Sequence, residues 1–113
     1  MTIYKKGKRI LKRNLWDLTK LTEFSETQRT KKDICKTKWF NIVLVCLESG
    51  QEIPSRPEPY DVCFYVIDGS GTFTVGNERV DLHHGGAIFA PANVARGIKS
   101  LERLTILGIQ QPH

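Results

Sequence analysis

Few residues in this chain of 113 can do chemistry: the cysteines Cys35, Cys46 and Cys63, the histidines His83, His84 and His113, and a scatter of carboxylates and guanidiniums. The cysteines are odd in number and share no C-x-x-C spacing. Neither a disulfide framework nor a thiolate zinc site is expected, and reduced thiols in a cytoplasmic protein are the reading adopted. Cys46 and Cys63 lack a neighbouring His or Lys in sequence that would favour the thiolate, so neither is read as a nucleophile. The arginines offer a different chemistry. A guanidinium stays charged at any ordinary pH and presents a planar fork suited to a carboxylate or phosphate.

Such side chains need a scaffold, and the punctuation of the sequence indicates which kind. Turn residues recur at short intervals: Gly50, the stretch from Pro54 to Pro59, Asp68-Gly69-Ser70-Gly71, Gly76-Asn77, Gly85-Gly86 and Pro91-Ala92-Asn93. Between them lie short runs rich in Val, Ile, Phe, Tyr and Thr, the rhythm of an all-β sandwich or barrel. Strands are expected over about 31–36, 38–48, 61–68, 71–76, 79–82, 87–90 and 95–110, the last split near Ser100-Leu101. Residues 15–24 could form one helical turn or a covering strand. The runs Ile42–Leu47 and Cys63–Ile67 are almost unbroken in apolar character, so both faces of these strands should be covered. The barrel interior covers one face. The other must meet the N-terminal segment or a second subunit, and since residues 1–38 can cover only part of it, a homodimer is expected, with Cys46 and Cys63 on the dimer-facing side.

From Gly50 onward the chain resembles the cupin superfamily of small jelly-roll barrels. Gly50 is followed by QEIPS, Arg56-Pro57-Glu58, PYD, Val62 and, after six residues, Gly69. Gly85 is followed by GAIFA, Pro91-Ala92-Asn93, VA, Arg96 and, four positions on, Ser100. These are the spacings of the two cupin motifs, and the resemblance covers about 39–110. It implies one all-β domain, with residues 39–113 as the barrel core and residues 1–38 as strands or an arm of the same domain, packing on or beside the barrel. Asn93 replaces the second motif's glycine and is the residue best suited to the left-handed backbone expected there. Gly69 and Gly71 are expected to bracket a hairpin turn.

In metal-binding cupins two His, a Glu and a later His hold a divalent ion. The corresponding positions here are Arg56, Glu58, Val62 and Arg96. Only Glu58 could ligate, and the guanidiniums beside it would repel a cation. No metal and no cofactor are therefore expected. His83 and His84 fall in the turn before Gly85, on opposite faces of the chain, and read as solvated. His113, at the end of the sequence, is expected to fray. The resemblance aims Arg56, Glu58 and Arg96 into a cavity lined by Val62, Phe64 and other apolar groups, with Tyr60 and Ser55 at its mouth. Two positive charges against one negative suit a small anionic metabolite. The bland reading is that Glu58 pairs with one arginine and the trio plugs the barrel. A first alternative is an isomerase- or epimerase-like enzyme, or one with a noncanonical metal site, using Glu58 as base and Arg96 as electrophile or oxyanion stabiliser.

Charge is divided unevenly. The net +5 arises from 12 Lys/Arg against 4 Asp/Glu in residues 1–38 and 5 against 8 thereafter. The cluster Lys5, Lys6, Lys8, Arg9, Lys12 and Arg13 suggests a second alternative, a regulatory protein whose arm contacts nucleic acid. No aromatic platform or nucleic-acid motif accompanies it, so nucleic acid is not the expected partner and a solvated strand edge is preferred. The basic N-terminus lacks the apolar core of a secretory signal, and no run is long enough for a membrane helix.

Overall fold

The computed structural model describes residues 14–113; the basic cluster from Lys5 to Arg13 lies outside them. One short helix, α1 (Leu18–Leu21), precedes nine strands: β1 (Thr30–Lys36), β2 (Asn41–Leu47), β3 (Glu52–Arg56), β4 (Val62–Asp68), β5 (Ser70–Val75), β6 (Glu78–His83), β7 (Ala87–Ala90), β8 (Arg96–Ser100) and β9 (Leu104–Gln110). Residues 15–24 thus resolve as a helical turn. Asp17 caps it by accepting from the Thr19 amide at 3.2 Å. Among the described residues no helix is long and apolar enough to cross a membrane.

Two antiparallel sheets face each other, one ordered β1-β2-β9-β4-β7 and the other β3-β8-β5-β6. This is the all-β barrel that the turn rhythm implied. Its core is Val43, Val45, Leu47, Val66, Phe73, Ile98, Leu104 and Ile106. These residues alternate along their strands, as inward positions of a closed sheet must. On one side β4 packs on β6 and β5 on β7. The other side leaves β1 and β3 as the facing edge strands, and there the barrel opens.

Three boundaries differ from expectation. The second strand starts at Asn41, not near 38, because Thr37 closes a turn: its hydroxyl accepts from the amides of Trp39 (3.0 Å) and Phe40 (2.9 Å). Residues 52–56 form β3 although Pro54 suggested a turn. Proline survives there because β3 is an edge strand whose register to β8 shifts between Ile53 and Arg56. Gly69 does not open a hairpin. It is the corner where the chain passes from β4 in one sheet to β5 in the other. A Cβ at Gly69 would lie 1.8 Å from the Arg103 carbonyl oxygen, and its φ is +83°.

The described part of the N-terminal segment packs beside the barrel. Thr30 Oγ1 donates to the Glu23 carbonyl, Gln51 Nε2 to the Ser25 carbonyl at 2.8 Å, and Lys32 pairs with Glu23 at 2.9 Å. Arg103 lies over the Phe24 ring at 4.3 Å and grips both oxygens of Glu48 at 3.0 and 2.8 Å. The outward side of β2 is covered at Leu44 and Cys46, which are buried. That of β4 is not. Tyr65 is 39% exposed, so the run Cys63–Ile67 has only its barrel face closed within one chain.

Candidate ligand pocket

A cavity of about 220 Å³ opens between β1 and β3. Val43, Val45, Ile53 and Phe64 supply its apolar wall, and Arg29, Lys31, Arg56, Glu58, Tyr60, Arg96 and Gln110 supply its polar groups. Strand register explains the placement. Val43 and Val45 are inward on β2, facing Gly108 and Ile106 of β9. Lys31 is opposite Val45 on β1 and therefore projects to the same face.

Arg56 and Arg96 are direct cross-strand partners on β3 and β8. Like charges opposed in this way repel, and the two heads part. Arg56 turns to the rim, its side chain 74% exposed, and its Nε donates to Glu58 Oε2 at 2.5 Å. Arg96 turns inward and is 5% exposed. Its Nε donates to the Val94 carbonyl at 2.9 Å, and its Nη2 to the carbonyls of Tyr60 (3.1 Å) and Pro91 (2.7 Å). Nη1 is buried with no hydrogen-bond partner. The expected inward trio is thus separated. Glu58 pairs with the rim arginine, while Arg96 fastens two loops, lines the cavity and keeps one buried donor unmet.

The loops it fastens are further tied together. The Asn93 amide donates to the Glu58 carbonyl at 2.7 Å, and the Ala92 amide to Asp61 Oδ1 at 2.8 Å. Asn93 holds φ at 69°, and the motif glycines Gly50, Gly69 and Gly85 stand at 86°, 83° and 90°, so all four positions use the left-handed backbone. Tyr60 closes one end of the cavity. Its ring carries Arg96 Cζ 5.3 Å from the centroid and stacks on His113 at 3.8 Å. His113 is therefore held in place, with Nε2 within 3.2 Å of Gln110 Oε1. Burial pushes the Tyr60 hydroxyl above its ordinary pKa, and the Glu58 charge adds to the shift.

Other expectations shift too. Val62 is buried beside the cavity without forming part of its wall. Ser55 lies on the opposite side of the sheet, where its backbone would be 2.8 Å from a Cβ on Gly97. Phe64 lines the wall as expected. Arg29, Lys31 and Gln110 were not anticipated. The available signal was only the two-residue spacing of Arg29 and Lys31, at and just before the start of β1, which can place both on one face. His83 closes β6 and is exposed with His84 in the following turn. Among the described residues no three of His, Cys, Asp and Glu gather as a metal site would require. At the family's ligand positions Glu58 alone has a ligating atom, and Arg56 engages it. That donor set does not suit a divalent ion.

The profile of the cupin domain matches residues 43–107. The chain belongs to the cupin family. An uncharacterized protein of Streptomyces coelicolor is 27% identical over 73 residues, covering 64% of this chain and 70% of its own length. The crystal structure of TT1209 from Thermus thermophilus superposes with a TM-score of 0.81 at 25% identity, covering 87% of this chain and 96% of that one. A cupin superfamily protein from Desulfitobacterium hafniense gives 0.77 at 20% identity, over 85% and 88%. This cupin thus shares its barrel with proteins of low sequence identity.

Proposed function

We propose that this cupin binds a small anionic metabolite in its barrel, without the metal its family commonly uses. The observation that supports the reading is the charge of the cavity wall. Among the described residues four cationic side chains, Arg29, Lys31, Arg56 and Arg96, line it with a single carboxylate, Glu58. A cavity with apolar walls strengthens the attraction between such cations and an entering anion. Arg96 adds an orphaned buried donor, a group that costs free energy until an acceptor meets it. A thermal-shift screen of small carboxylates against matched amines tests the reading. Carboxylates should raise the melting temperature and amines should not.

The protein also fits a homodimer. On the outer face of the larger sheet, the cross-strand register aligns Cys35, Ile42, Ile109, Cys63 and Phe89 in one uncharged row over five strands. Phe89 is 54% and Ile109 43% exposed. An apolar strip of this kind matches a second copy of itself about a two-fold axis.

A further inference from the structure

The cations of the cavity stand in two groups, one at each end. Arg96 Nη2 reaches the Tyr60 carbonyl, two residues before Val62, which lies opposite Gln110, itself opposite Asn41. Lys31 lies opposite Val45, four residues further along β2. At an antiparallel rise of about 3.4 Å per residue, the levels of Asn41 and Val45 are roughly 14 Å apart along β2. Arg29 stands two residues before Lys31, so it extends the far group. Between the ends the lining is Val43, Val45, Ile53 and Phe64; Asp33, opposite Val43 on β1, pairs with Lys36 at 3.9 Å and does not line the cavity. Arg56 at the rim is already matched by Glu58. Among the described residues neither Arg29 nor Lys31 has an ion-pair partner.

From this layout we infer that the ligand is a dicarboxylate with a short hydrocarbon middle, one carboxylate at Arg96 and the other at Lys31 and Arg29. The inference rests on the anion-binding reading above and adds the second pole. At the Arg96 end, donor chemistry favours carboxylate over phosphate. Nε and Nη2 of Arg96 are taken by backbone carbonyls, leaving only Nη1. One nitrogen suits a carboxylate oxygen, whereas a phosphate needs a cradle of several donors. The uncharged wall between the poles suits methylene groups, which would gain by leaving water.

Calorimetric titration of the full chain with adipate, hexanoate and inorganic phosphate tests the inference. Adipate should bind at least about tenfold more tightly than hexanoate, the effect of one added charge-assisted contact. The Lys31→Met variant, changed at an exposed position, should reduce that preference toward unity, and Arg29→Met should reduce it in part. Equal binding of adipate and hexanoate would overturn the second pole while leaving the anion pocket standing. Phosphate binding more tightly than adipate would overturn the assignment to carboxylates. Failure of all three to bind would remove the anion-binding reading itself.

Discussion

Arg96 both builds the site and charges it, and the two roles separate by substitution. Its guanidinium meets the carbonyls of Tyr60, Pro91 and Val94, and hydrogen bonds to charged groups are worth roughly 1.5–3 kcal/mol each. Arg96→Met should therefore destabilise the fold by about 3 kcal/mol or more, read from denaturant midpoints, so loss of binding in that variant alone would be uninformative. Glu58 gives the cleaner test. Glu58→Gln removes the only carboxylate of the wall among the described residues and takes the charge from Arg56's partner, so affinity for a small anion should rise several-fold; a fall would show Glu58 contacting the ligand. Tyr60 gives a pH signature. Its pKa lies above the ordinary 10.0, so the unfolded chain releases that proton first. The stabilising contribution is complete below pH 10 and is lost as pH rises through the folded value. Tyr60→Phe should make the alkaline fall in stability shallower than in the wild type.

The elements that carry these residues were legible to unequal degrees. Gly50, Gly69, Gly85 and Asn93 were placed by motif spacing, and all four adopt the left-handed backbone, a conformation expected from sequence at Asn93. Gly69 is the strictest. An added methyl would collide with the Arg103 carbonyl at 1.8 Å, so Gly69→Ala should destabilise by more than about 3 kcal/mol, or prevent folding. Gly85→Ala, with nothing within 4 Å of an added methyl, should cost only its backbone strain, about 1 kcal/mol. Edge strands were the hard part. β3 was hidden because Pro54 reads as a turn, yet an edge strand with a shifted register tolerates a missing amide. β1 was placed, but its inward face was not read as a binding surface. Inward positions of a barrel are expected to be apolar, and Arg29 and Lys31 break that rule where the barrel opens. His113 was expected to fray because nothing in sequence reveals the stack on Tyr60, 53 positions earlier.

At the scale of the whole molecule, the barrel is closed on one side and open on the other, and both consequences are measurable. The uncharged row ending at Phe89 crosses all five strands of the larger sheet, and light scattering should give twice the chain mass. Phe89→Asp, placing a charge on that row, should yield a folded monomer; a wild-type monomer would set the dimer aside. The open side carries the central claim, that the wall formed by Arg29, Lys31, Arg56 and Arg96 takes up a small anion. The most direct measurement is calorimetric titration of the wild-type protein with hexanoate and, separately, with hexylamine at low ionic strength. The account predicts saturable binding of the carboxylate that weakens with added salt, and none of the amine. Binding of the amine, or of neither compound together with no response to adipate, would contradict it.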